Sequence, residues 1–82
     1  MNYKTDPNYI EGNWAGKDIA KKIEMTAYKN LETAIDVKQK LIDNFEKEFG
    51  YSKKQDSFDR NYTFNLGILD VLKEKFNERE GL

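Results

Sequence analysis

Residues 18–49 read DIAKKIEMTAYKNLETAIDVKQKLIDNFEKEF, and the spacing of apolar residues in this stretch decides the fold class. At about 100° of turn per residue, Ile19, Ile23, Ala27, Leu31, Ala34, Ile35, Leu41, Ile42, Phe45 and Phe49 share one broad helix face. Asp18, Lys22, Lys29, Glu32, Asp36, Lys40, Asp43 and Lys47 lie opposite. In Asp18/Lys22, Asp36/Lys40 and Asp43/Lys47 the acid precedes the lysine by four residues. That is the better orientation for a helical ion pair, adding roughly a few tenths of a kcal/mol each. The pattern predicts an all-α protein with one long helix over about residues 17–49. Unbroken, at about 1.5 Å per residue, that helix is about 48 Å long. A break near Thr26–Asn30 is the alternative, because the polarity there offers Asn30 as the cap of a separate helix. Continuity rests on two points: the stripe keeps its phase, and neither glycine nor proline interrupts it.

Working outward toward the C-terminus, Gly50 follows Phe49 and suits the left-handed conformation that closes a helix, with Tyr51 as the apolar residue just beyond. After a short polar loop, Asp56 or Ser57 is expected to cap a second helix running to about residue 78. Its apolar residues fall in two stripes. Phe58, Tyr62, Leu69, Leu72 and Phe76 form one, and Phe64, Ile68 and Val71 form another, turned by about 120°. An antiparallel hairpin buries only the first stripe, and the shorter helix leaves the Ile19–Ile23 end of the longer one bare. The surplus predicts self-association, most simply a dimeric four-helix bundle.

Toward the N-terminus, residues 1–13 carry Pro7, Gly12, three asparagines and two tyrosines with no period, and read as an irregular, extended arm of a single 82-residue domain. Tyr3, Tyr9 and Ile10 are apolar enough for that arm to lie against a helix.

Composition narrows the function classes. Fourteen basic residues against fifteen acidic ones, net charge -1, argue against a dedicated nucleic-acid binder. With no histidine and no cysteine, zinc, haem and iron–sulfur chemistry are not expected, and no cofactor is predicted. No apolar signal segment opens the chain and no stretch has the length to span a bilayer, so the expectation is a cytoplasmic protein without a membrane partner.

Individual residues offer little catalysis. Lys38 falls on the apolar face of the long helix, where its stem packs and its ammonium snorkels outward. Glu24 sits at the edge of that face without the histidine that a helical di-iron site needs. Asn65, inside the main stripe of the second helix, suits a role in fixing register. Ser57, Asp59 and Arg60 lie close in sequence, but no base is present to activate the serine. Asn61-Tyr62-Thr63 matches a glycosylation sequon within a helix.

Trp14-Ala15-Gly16 resembles the Trp-x-Gly motif of the small secreted helical hairpins of Gram-positive bacteria, where it forms the turn between two helices. Here it precedes both expected helices, and the turn at Gly50 lacks it, so no family follows.

The expected function is therefore a non-enzymatic protein–protein interaction module that docks an apolar helix face on itself or on a host protein. Phe64, Ile68 and Val71 are the first candidates for the interface, with Trp14, Tyr9 and Tyr3 second. Abundant lysine, asparagine and tyrosine fit an AT-rich genome and a bacteriophage-type regulator or inhibitor of a host protein. Nucleic-acid binding by a helical dimer is the alternative.

Overall fold

The computed structural model describes residues 2–55 and 57–81. Among them are a single 3-10 turn, Tyr3–Thr5, and three α-helices: α1, Pro7–Glu24; α2, Asn30–Phe49; and α3, Arg60–Glu80. No strand occurs among the described residues, so the all-α expectation holds.

Two expectations about the first half of the chain need correction. The irregular arm is a helix from Pro7 onward. Its start signal is Asp6-Pro7: the Asp6 carboxylate accepts from the Asn8 backbone N–H at 2.8 Å. Pro7 then occupies the first helical turn, where its fixed φ suits the helix and its missing N–H costs nothing. Gly12 and Gly16 hide the helix in sequence, since each lowers helix propensity by about 1 kcal/mol.

The helix expected over about 17–49 is instead two helices, divided at residues 25–29. Local hydrogen bonds make the division without glycine or proline. The Thr26 hydroxyl donates to the Ile23 carbonyl at 2.8 Å. The backbone N–H groups of Thr26 and Ala27 both donate to that same carbonyl, ending α1. On the far side Asn30, Leu31 and Glu32 each donate to a carbonyl three residues back, the tight winding with which α2 begins. Ala27, expected on the apolar stripe, is exposed in the break, while Ile19 and Ile23 of α1 and Ala34 and Ile35 of α2 pack on the same cluster beside α3.

The C-terminal half follows the sequence more closely. Gly50 closes α2 at φ 69°, and the Tyr51 ring packs beyond it on Phe45 and Phe49 at centroid distances of 6.0 and 5.4 Å. Helix α3 begins later than expected. Its cap is Asp59, whose carboxylate accepts from the Tyr62 N–H at 3.0 Å; Ser57 precedes it and Asp56 lies outside the described residues.

Helix α3 is the centre of the bundle. Pairs of contacts fix the directions. Tyr62 bonds Glu46 and Asn65 bonds Lys38, so α2 and α3 run antiparallel. Gly12 lies against Phe64 and Gly67, Gly16 against Ile68 and Val71, and Glu24 against Arg79, so α1 and α3 run parallel. Two apolar clusters flank α3. One joins Tyr9, Ile42, Tyr62, Leu66 and Leu69; the other joins Ala20, Leu31, Ile68 and Leu72. The consecutive burial of Leu66, Gly67, Ile68 and Leu69 marks a helix covered on both sides. The second stripe of α3, for which a second copy of the chain was expected, is covered by α1 of the same chain.

The α1–α3 crossing is close because glycine meets glycine. A Cβ on Gly12 would clash with the Phe64 carbonyl oxygen, and one on Gly67 would clash with the Tyr9 carbonyl oxygen. Side chains clamp the crossing: Asn13 Nδ2 donates to the Gly67 carbonyl at 2.9 Å, and the Tyr9 hydroxyl donates to Asp70 at 2.7 Å.

Candidate functional site

The six residues expected to bind a partner have different fates. Ile68 and Val71 are buried beneath α1, and Phe64 is half-buried there. Their apolar character is spent on the chain's own core, which corrects the premise of a wet second stripe. Tyr9 is buried and Tyr3 half-buried, their rings edge to face at 5.3 Å. Trp14 differs from all of these: 67% of its surface faces solvent.

Helix α1 explains that exposure. Tyr9, Gly12, Gly16 and Ala20 are its buried residues and define the face against α3. Trp14 lies two residues from both Gly12 and Gly16, about 160–200° around the helix, and points away. Ile10, four residues before Trp14 and so on the same side, is 42% exposed. Met25 and Val37 are exposed singly at other places, as apolar residues commonly are, and Phe49 stacks on the Tyr51 ring at the end of α2. Ile10 and Trp14 are neighbours, and they form an outward-facing apolar pair on one helix.

The stripe continues with Lys17 and Lys21. Beside them, between α1 and α3, lies a hollow of 310 Å³ lined by Lys17, Ala20, Lys21, Glu24 and Lys75. Its single carboxylate, Glu24, is held by the Arg79 guanidinium at 3.2 Å. Lys17 and Lys21 have no acidic partner among the described residues, and Lys75 stands 3.7 Å from Glu78. Sequence reasoning missed Ile10, Lys17, Lys21 and Lys75 as a group. The signal was present as the spacing 10, 14, 17, 21, but it is visible only once residues 7–24 are read as a helix.

The polar residues singled out from sequence serve the fold. Lys38 and Asn65 meet: the ammonium donates to Asn65 Oδ1 at 2.8 Å, while Asn65 Nδ2 donates to the Asn61 carbonyl at 2.8 Å. Lys38 therefore ties α2 to α3 at a half-buried position, through the one polar side chain of the main α3 stripe expected to matter there. The Thr63 hydroxyl, part of the sequon, is buried and donates to the Asp59 carbonyl. Of the three helical ion pairs expected, Asp18–Lys22 closes at 3.0 Å, whereas Asp43 accepts from Gln39 instead.

Burial pushes the Tyr9 and Tyr62 hydroxyls well above the usual phenol range, and their hydrogen bonds to Asp70 and Glu46 act in the same direction. Both remain proton donors to those carboxylates. A larger, open hollow of 730 Å³ lies beside Tyr3, Tyr9 and Asp70. Its charges are of mixed sign and Asp70 is already engaged by Tyr9, so it offers no convergent set of groups.

No helix among the described residues is long and apolar enough to cross a membrane. Comparison with protein-family models, with curated proteins and with solved structures finds no match.

Proposed function

We propose that this chain is a small protein–protein interaction module whose docking surface is the outer face of α1, with Trp14 and Ile10 as its apolar anchor. One observation carries the reading: a tryptophan with two-thirds of its surface in water, on a well-capped helix, beside an exposed isoleucine. Tryptophan buries more apolar area than any other side chain, and truncating it at an interface commonly costs about 2 kcal/mol or more. The glycine-mediated seating of α1 on α3 holds the pair on a rigid surface, which lowers the ordering cost of docking. The occupant is a segment of another protein, and the module acts by covering that segment or by holding it in place.

The test places a photo-crosslinking residue at position 14 in one variant and at position 40, on α2, in another. In a lysate of the cells that make the protein, position 14 is expected to yield a discrete adduct that position 40 does not. Ile10→Ser, introduced beside a crosslinker at Lys17, should remove it. Equal adducts from positions 14 and 40 would refute the reading. An adduct of twice the chain mass would make a second copy the occupant.

A further inference from the structure

The three-lysine hollow beside the anchor specifies what kind of segment docks. Resting on the reading above, we propose that the partner is an acidic protein segment: an apolar side chain on Ile10 and Trp14, with carboxylates entering the hollow of Lys17, Lys21 and Lys75.

Charge complementarity carries the argument. Three ammonium groups line one concave surface over the buried methyl of Ala20; Lys75 stands 3.7 Å from Glu78, while Lys17 and Lys21 have no acidic partner among the described residues. The only acid in the wall is occupied by Arg79, and Asp18, the acid nearest in sequence, is occupied by Lys22. Lys17 and Lys21 therefore make this wall a local positive spot on a chain whose net charge is -1. An ammonium cluster of this kind steers an acidic partner and fixes its register more than it supplies affinity, which the apolar anchor provides.

The spacing defines the ligand further. Lys17 and Lys21 stand about 4.5 and 10.5 Å along the helix axis from Trp14. A fitting segment thus carries its carboxylates about one to two helical turns from its apolar anchor, or about one to three residues away if extended. A nucleic-acid backbone fits less well. Glu11 sits exposed next to Ile10, so a continuous run of phosphates along α1 meets a like charge, whereas a protein segment with carboxylates at one end does not.

The experiment titrates isotopically labelled protein with poly-L-glutamate, with an oligothymidylate of equal charge and with inorganic phosphate, following backbone amide and lysine side-chain NMR signals. Poly-L-glutamate is expected to shift Lys17, Ala20, Lys21 and Lys75 saturably and to weaken as salt rises. The triple variant K17E/K21E/K75E should lose about tenfold or more in affinity at low salt. Far-UV circular dichroism checks its fold. Should the triple variant unfold, Lys21→Glu alone serves, since the Lys21 side chain is exposed and forms no hydrogen bond or ion pair among the described residues. No shift in the hollow with poly-L-glutamate overturns the proposal. So does tighter binding of oligothymidylate at the same residues, or equal binding of phosphate alone. Trp14→Ala separates the two readings. If the docking reading fails, Trp14→Ala and Ile10→Ser leave crosslinked adducts unchanged while the hollow still binds poly-L-glutamate. If only the present inference fails, the position-14 adduct persists while the hollow ignores the acidic probe.

Discussion

Gly12 and Gly67 occupy the point where α1 crosses α3, and each leaves room only for a hydrogen. Replacing Gly67 by alanine raises helix propensity by about 1 kcal/mol but pushes a methyl into the Tyr9 carbonyl. Overpacking of this kind costs about 1–3 kcal/mol, and here the obstacle is backbone, which yields least. Gly67→Ala should therefore lower the midpoint of guanidinium unfolding despite its better propensity. The buried tyrosines make stability fall at alkaline pH. Because the folded chain holds the Tyr9 and Tyr62 protons more tightly than the unfolded chain does, their contribution is fully present below the ordinary phenol range. It is lost as pH rises from there through the raised folded values. Urea unfolding at neutral pH and above about pH 10 should show a decline in stability that the Tyr9→Phe/Tyr62→Phe variant shows less steeply.

At the scale of elements, α3 is the helix that neither neighbour can do without. Ile68 is 3% exposed and lies under α1. As a surface residue it would accept Ile68→Asp with the helices intact. Buried, it makes that substitution place an unpaired carboxylate in the core, a change costing several kcal/mol, on the order of the stability of a small domain. The variant should lose its cooperative thermal transition by circular dichroism. Asp59 presents the milder case. It caps α3 through the Tyr62 N–H, and Asp59→Ala should cost about 1 kcal/mol, read as a lower melting temperature with helix content preserved at 25 °C.

For the whole molecule, the absence of a bare stripe on α3 removes the reason for expecting a second copy, and Trp14 becomes the place to look for association. It is the only tryptophan, so its emission reports that one surface. Sedimentation equilibrium and fluorescence together test the arrangement: single-chain mass should accompany the red-shifted emission of an exposed indole. Trp14→Ala should change the unfolding free energy by less than about 0.5 kcal/mol, because the side chain touches water more than core. A dimer mass with blue-shifted emission that reverts on dilution would place a second chain over α1.

Apolar periodicity determined that the chain is helical and which face of residues 31–45 turns inward, and the glycine after Phe49 determined where α2 ends. These features depend on neighbours within a few residues, and the chain carries that information locally. Tertiary structure decided the rest. The division at residues 25–29 has no glycine or proline; local hydrogen bonds close it, and it lets α1 and α2 both pack on α3. Residues 7–16 look irregular because their glycines serve a crossing with a helix some fifty residues away in sequence, where close approach outweighs propensity. The same crossing moved the functional reading. Once α1 covered Ile68 and Val71, the apolar pair left in water on α1 was Trp14 and Ile10, a result of which faces meet rather than of any residue's own character.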